Sequence, residues 1–147
     1  MKEKISTTRR DAREWALQLL FQMDMNPLGS DPNAFNKMLE NFWTDRSPSP
    51  KARTFTEGIV KGVKDNLEKI DDLVVKHAEN WSLDRITIVD RNVLRMAIYE
   101  MLFCSEIPAA VVINEAVDIS KYFGPSASGK FVNGILDKIR RERKQES

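Results

Sequence analysis

The chain has 147 residues, is 41% hydrophobic and 31% charged, and carries a formal net charge of +1, which is typical of a globular protein with a charged surface. Its single cysteine, Cys104, excludes an intrachain disulfide, and six glycines and six prolines leave little room for a turn-rich all-β fold. No apolar run reaches the length of a membrane span and the N-terminus lacks a signal-peptide core, so we expect one cytoplasmic domain over residues 1–147 with no membrane partner.

Cap and proline signals predict three helices in the first part of the chain. Thr8 is the expected N-cap of a helix that runs to about Met25. An Asp-Pro pair at residues 31–32 predicts the cap and first position of a short second helix. A Ser-Pro pair at residues 49–50 repeats this signal and predicts a third.

Four more helices are predicted downstream, and they complete an all-α bundle of about seven helices. They begin near residues 67, 88, 108 and 128 and end near residues 78, 103, 124 and 143. Residues 82–85 are expected to form a turn or a single helical turn. The helix from Ile88 to Phe103 is apolar nearly all round, as is usual for the buried centre of a bundle.

Basic residues are concentrated at the two ends of the chain: Lys2, Lys4, Arg9, Arg10 and Arg13 at the start, and Lys138, Arg140, Arg141, Arg143 and Lys144 at the end. If the ends fold to one side, they form a basic patch that the net charge hides. The spacing of Arg9, Arg10 and Arg13 puts two or three of them on one helix face, which suits contacts with RNA phosphates. The alternative is a solvated, charged helix start.

The start of the predicted last helix combines an aromatic with polar residues. Phe131 beside Lys130, with Asn133 nearby, suits a site where an RNA base stacks while the ammonium contacts phosphate. By periodicity alone, Phe131 is better explained as an anchor of the helix in the core. Gly134 costs about 1 kcal/mol relative to alanine within a helix, which indicates close approach of another backbone or a ligand.

Charged residues interrupt the central apolar helix and its neighbour. We expect Arg95, Glu100 and Glu115 to form a buried or half-buried ionic network that holds helices in register. Asp90 and Arg91 lie at the start of the central helix, where exposure is expected.

Signs of catalysis are lacking. His77 is the only histidine, Cys104 is most simply a small buried residue, and the carboxylates at residues 71–72 are expected to be solvated. The sequence has no glycine-rich phosphate-binding loop. We therefore predict no enzyme activity, no metal site and no cofactor.

Several motifs together resemble the NusB family of bacterial transcription antitermination factors. The C-terminal signature consists of INEAV at 113–117, KYFG at 121–124 and KFVNGILDK at 130–138. The similarity extends upstream to DRNVLRMAIYEML at 90–102 and RRDARE at 9–14, and so spans the whole chain in order. It implies a NusB-like RNA-binding domain built from two packed helical subdomains.

The resemblance also implies partners. The arginine-rich start (Arg9, Arg10 and Arg13) and the segment with Lys130, Phe131 and Asn133 would contact the boxA element of nascent ribosomal RNA. Asp90, Arg91 and Phe21 would contribute to the surface for NusE, a small-subunit ribosomal protein that is also an antitermination factor. The assembly would act on RNA polymerase in ribosomal RNA operons. Relatives occur as monomers and homodimers, and a dimer would cover the RNA surface.

Two alternatives remain open at this point. A NusB-like domain also precedes the catalytic domain of ribosomal RNA cytosine methyltransferases, but this sequence holds no Rossmann-like segment and is not expected to methylate by itself. The other alternative is a helical adaptor without an RNA role, which predicts that the basic ends lie apart.

Overall fold

A computed structural model describes residues 8–79 and 81–146, and within them the chain forms seven α-helices and no strand, which confirms the all-α prediction. The helices are α1 (Arg9–Met25), α2 (Ala34–Trp43), α3 (Pro50–Asp65), α4 (Leu67–His77), α5 (Ile88–Phe103), α6 (Ala109–Phe123) and α7 (Ser128–Glu146). The turn predicted before α5 is a 3₁₀ turn at Leu83–Arg85. Lys2 and Lys4 lie outside the described residues. None of the described helices combines the length and apolar character needed to cross a membrane.

The chain divides into two compact units, residues 1–61 and residues 62–147. The first unit holds α1, α2 and most of α3. The second holds the end of α3 and helices α4 to α7. Candidate surfaces lie on both units.

Side-chain caps start two of the first three helices as predicted, and a third differs. The backbone N–H of Asp11 donates to Thr8 Oγ1 at 3.1 Å, and Ser49 caps α3 in the same way. The second helix begins at Ala34, not at residue 32. Asp31 Oδ1 accepts from Asn33 N at 2.9 Å, so this side chain closes a turn ahead of the helix instead of capping it.

Packing in the first unit joins all three of its helices. The hydroxyl of Thr56 on α3, which is fully buried, donates to the carbonyl of Ala12 on α1 at 2.9 Å. The rings of Trp15 and Trp43 meet edge to face with centroids 5.3 Å apart, which links α1 to α2. These contacts fix the N-terminal part of α1 against α3.

Helix α5 is the centre of the second unit and packs against α4, α6 and α7. Three of its large apolar side chains, Leu94, Met96 and Ile98, are at most 1% exposed. The prediction of a buried central helix is therefore confirmed.

A buried ion pair joins α4 to α5. The guanidinium of Arg95 donates from Nε and Nη2 to the two carboxylate oxygens of Asp71, at 2.8 and 2.9 Å, and from Nη1 to Asn92 Oδ1 at 3.0 Å. The expectation that Arg95 takes part in an ionic contact between helices is confirmed, with Asp71 as its partner. The expectation of a solvated Asp71 is wrong, because α4 turns this carboxylate towards α5. Glu100 is 1% exposed and Glu115 half-buried, and both have interaction partners.

Two helical glycines have opposite surroundings. A Cβ at Gly62 would collide with the ring of Tyr99, which stacks on Phe103 with centroids 5.4 Å apart. A Cβ at Gly134 would meet nothing within 4 Å, so the expectation that another backbone of the described chain approaches this position is wrong, while approach of a ligand stays a prediction. Both positions are glycines within helices, but of the two only Gly62 packs against a neighbouring side chain.

Alanine is expected to have opposite effects on stability at Gly62 and at Gly58, which both lie on α3. Gly62→Ala is expected to lower the free energy of unfolding by about 1–3 kcal/mol, because overpacking outweighs the gain in helix propensity. Gly58→Ala, whose Cβ also meets nothing within 4 Å, is the matched control and is expected to gain about 0.5–1 kcal/mol. Urea unfolding of the two variants measures both values, and equal gains would contradict the packing argument.

Candidate nucleic-acid interface

A groove of about 550 Å³ lies between the start of α1 and the start of α3 in the first unit. Its walls are formed by Thr8, Arg9, Ala12, Pro50, Lys51, Ala52, Thr54 and Phe55. Arg9 and Lys51 are exposed, and no acidic residue is among these walls. The groove therefore presents positive charge beside an aromatic ring.

Two arginines of α1, Arg9 and Arg13, lie against the ring of Phe55. The guanidinium carbon of Arg9 lies 5.0 Å from the centroid of the Phe55 ring, and that of Arg13 lies 5.4 Å from it. Arg13 is 3% exposed, which places it inside the unit as a support for the ring. Arg10 is half-buried and does not line the groove. Of the three predicted arginines, Arg9 is the one whose charge faces the groove.

Lys51 and Phe55 line this groove and were not among the residues predicted for the site. They lie four residues apart on α3, so they share a helix face. This spacing is visible in the sequence. The sequence does not show that the face with Lys51 and Phe55 lies beside α1, which follows from the hydrogen bond between Thr56 and Ala12.

Phe21 lies on α1 and is 40% exposed. Met25, one turn further along the helix, is 56% exposed. Four residues apart, the two side chains lie on the same face of α1.

A second cavity, of about 240 Å³, lies in the second unit where α5 and α7 begin. Its lining is Trp81, Arg85, Ile86, Thr87, Asp90, Pro125, Ala127, Ser128 and Phe131. Trp81 is half exposed and Phe131 half-buried, so aromatic rings line an open, largely apolar pocket. Phe131, predicted for RNA, and Asp90, predicted for a protein partner, thus line the same pocket.

Asp90 is 6% exposed, and the expectation that it would be exposed is wrong. Ser128 Oγ, at the start of α7, donates to Asp90 Oδ2 at 3.1 Å, and this bond draws the carboxylate into the unit. The other oxygen, Oδ1, is buried without a hydrogen-bond partner among the described residues. Burial raises the pKa of the Asp90 carboxyl above its ordinary value, against the lowering effect of the Ser128 and Thr87 hydrogen bonds.

The remaining predicted residues lie around this pocket or beside it on the same helices. Lys130 and Asn133 are exposed on α7, on either side of Phe131 in sequence. Arg91 follows Asp90, is half-buried, and donates from Nη1 to the carbonyl of Ile86 at 3.4 Å. The arrangement can hold a planar or apolar group against Phe131, in the pocket that Asp90 also lines.

Comparison with known proteins identifies relatives over nearly the whole chain. The sequence profile of the NusB family matches residues 10–141. The transcription antitermination protein NusB of Desulfosudis oleivorans is 43% identical over 135 residues, which cover 92% of this chain and 86% of that protein. The protein of the same name from Bacillus subtilis is 41% identical over 137 residues, covering 93% and 98%.

Solved structures agree with the sequence matches. T. maritima NusB superposes with a TM-score of 0.83 at 43% identity and covers 94% of each chain. A crystal structure of the antitermination factors NusB and NusE in complex with double-stranded RNA matches with a TM-score of 0.75 at 29% identity, over 91% of this chain and 96% of that one. The chain therefore belongs to the NusB family.

Proposed function

We propose that this chain is a transcription antitermination factor that binds boxA RNA of ribosomal RNA operons together with NusE. The mechanism is assembly and involves no catalysis. The protein acts in the cytoplasm, and residues 1–147 work as a single RNA-binding domain. Relatives named for transcription antitermination, and a solved relative bound to NusE and RNA, support this proposal.

The observation that carries the RNA proposal is the positive groove of the first unit. Arg9 and Lys51 are exposed there beside Phe55, and none of the lining residues is acidic. Cations that contact phosphates release counterions, which favours binding to any nucleic-acid strand. A neighbouring aromatic ring favours a single strand, because unpaired bases expose faces that stack.

The pocket of the second unit supplies a further RNA contact. Phe131 offers a half-buried ring, while Lys130 is exposed next to it and has no ion pair among the described residues. We infer that a base stacks on Phe131 while Lys130 contacts phosphate and Asn133 donates to or accepts from the nucleotide.

NusE is proposed to bind through Asp90, Arg91 and Phe21. Oδ1 of Asp90 is buried without a hydrogen-bond partner among the described residues, so a donor of NusE that reaches it would remove the cost of burying it alone. Phe21 adds exposed apolar area. RNA and NusE bound to one protein reinforce each other's retention, because the second contact becomes intramolecular.

Two wider assemblies belong to the same proposal. The complex with RNA and NusE acts on RNA polymerase within the antitermination complex. A homodimer would cover the RNA surface, so dimer formation and RNA binding would compete. Sedimentation with and without boxA RNA tests this competition, because RNA should shift the homodimer towards the RNA-bound monomer.

Arg9→Gln is expected to weaken binding of fluorescent boxA RNA and to reduce the slope of log K against log salt by about 0.7, the value for one phosphate contact on a single strand. Lys37→Gln on α2, which lies outside the groove and has Asp31 as its ion-pair partner, is the matched control and should leave the slope unchanged. Arg10→Gln is expected to have a smaller effect because Arg10 is half-buried. Equal binding of boxA and scrambled RNA with an unchanged slope would instead favour a helical adaptor.

Phe131→Leu is expected to lower boxA affinity about 5- to 150-fold, which corresponds to the loss of one base stack of about 1–3 kcal/mol, while an apolar side chain still fills the pocket wall. Tyr122→Leu removes another aromatic side chain, one that is 77% exposed on α6 and outside the pocket, and should leave affinity unchanged. Fluorescence titration measures both variants. Similar losses for the two variants would contradict a specific stack at Phe131.

Asp90→Asn is expected to reduce the strengthening of boxA binding by NusE, because the amide nitrogen replaces an acceptor oxygen. The same variant should stabilise the free protein at neutral pH. Burial raises the folded-state pKa of Asp90, so the folded chain holds this proton more tightly than the unfolded chain. The stability contribution is fully present below the unfolded pKa of about 3.9 and is lost as pH rises through the folded pKa.

The advantage of Asp90→Asn in urea unfolding should therefore be larger at pH 7 than near pH 4. Asp84→Asn is the control of opposite sign, because a hydrogen bond from Ser82 holds the pKa of the exposed Asp84 carboxyl below its ordinary value. That variant should lose stability at pH 7 and recover it as the pH falls. A pH-independent difference for Asp90→Asn would contradict the buried, ionisable carboxylate.

A further inference from the structure

A cavity of about 390 Å³ lies in the second unit, away from the pocket with Phe131 and Asp90. It is lined by Met101 near the end of α5, by Ala109 at the start of α6, and by Arg140, Arg143 and Lys144 on α7. Three of the five lining side chains are therefore cationic, and none is acidic. The proposed function makes no use of this cavity.

The nearby carboxylates of α7 are already engaged elsewhere. Asp137 pairs with Arg141 at 2.8 Å. Glu142 lies against Lys76 Nζ and His77 Nε2 of α4, and its pKa is lowered mainly by the hydrogen bond from Lys76. Within the described residues, Arg140 and Arg143 have neither an ion pair nor a hydrogen bond from their side chains.

Helix electrostatics explains only part of this arrangement. Arg143 and Lys144 lie in the last turn of α7, where cations complement the negative end of the helix. Arg140 lies six residues before the end of α7, beyond the reach of that effect. The opposite wall is the start of α6, whose first turn contains no acidic residue and whose cap, Pro108, offers no side-chain hydrogen bond.

Cations that face the positive end of another helix repel it, and an anion between them would relieve the repulsion. Arginine donates through a planar fork that matches phosphate oxygens, and two arginines here have that fork available. We propose that Arg140, Arg143 and Lys144 form a phosphate-binding site with the start of α6. The site goes beyond the proposed function, since neither boxA recognition nor NusE binding requires it.

The first experiment titrates the full chain with inorganic phosphate and follows amide NMR shifts, with chloride at equal ionic strength as the reference. Saturable shifts at the amides of Ala109 and Ala110 are expected with phosphate and not with chloride. Arg140→Gln with Arg143→Gln should abolish these shifts. Lys138→Gln with Arg141→Gln makes the same change of charge on the same helix, at residues paired with Glu79 and Asp137 outside the cavity, and should keep the shifts.

Wild-type chain without saturable shifts, or shifts that persist in the Arg140 and Arg143 double variant, would overturn the proposal. Unchanged amide positions elsewhere in the spectrum serve as the check that each variant is folded. No RNA is present in this experiment, so its failure is distinguishable from failure of the antitermination proposal.

A second experiment identifies the source of the phosphate. If the site holds RNA phosphodiesters, the Arg140 and Arg143 double variant should reduce the salt slope of RNA binding by about 1.4, which is two contacts of about 0.7 each. If it holds a small phosphate ester, RNA binding should keep its slope, while the phosphate-induced shifts are lost in the double variant. Either result upholds the phosphate site and assigns it to one source.

Discussion

The burial of α5 is the constraint on which the second unit depends. A helix that is apolar nearly all round has no solvent-facing side on which to place its polar residues, so each of them must find a partner inside the unit. Arg95 meets this requirement with Asp71 on α4, and Asp90 does so in part with Ser128 on α7. These two contacts fix how α4 and α7 align along α5. The position of Phe131, one turn beyond Ser128, follows from them.

Helix number and position could be predicted because their signals are local. The caps at Thr8 and Ser49 act within four residues, and the apolar pattern of α5 is continuous. Partners distant in sequence could not be predicted in the same way. Asp71 was expected in solvent because nothing near it in sequence points to Arg95, 24 residues away.

In the candidate sites, too, residues with a local signal could be predicted, and those brought together by contacts distant in sequence could not. Arg9, Lys130 and Phe131 were identified from local composition and family motifs. The groove also needs Lys51 and Phe55, which are brought to Arg9 by a contact between residues 44 apart. Gly134 shows the opposite error. A glycine within a helix indicated close approach of a neighbour, and the described chain places nothing within 4 Å of a Cβ at this position. Periodicity identifies which face a residue occupies, but not what lies against it.

Two of the buried charges of α5, those of Arg95 and Asp90, differ in a way that bears on function. Every donor direction of Arg95 described above ends on an acceptor, so this group is explained by the stability and register of the unit. Asp90 keeps one buried oxygen without a hydrogen-bond partner among the described residues, at a cost that an apolar side chain would avoid. An unpaired buried oxygen that packing does not require is a feature expected of binding sites, because a bound ligand can supply the missing hydrogen-bond partner.

Phe131 and Asp90 line one pocket and are joined through α7 by the hydrogen bond from Ser128, so we expect ligands at the two residues to be energetically coupled. A base on Phe131 would exclude water from the pocket and strengthen any hydrogen bond or ion pair formed at Asp90 Oδ1. A donor at Asp90 would in turn remove the penalty of an unsatisfied carboxylate beneath the base. Coupling of binding free energies is reciprocal, so each partner should raise the affinity for the other by the same factor. On this argument, the carboxylate that weakens the free protein would make a base at Phe131 and a donor at Asp90 bind cooperatively.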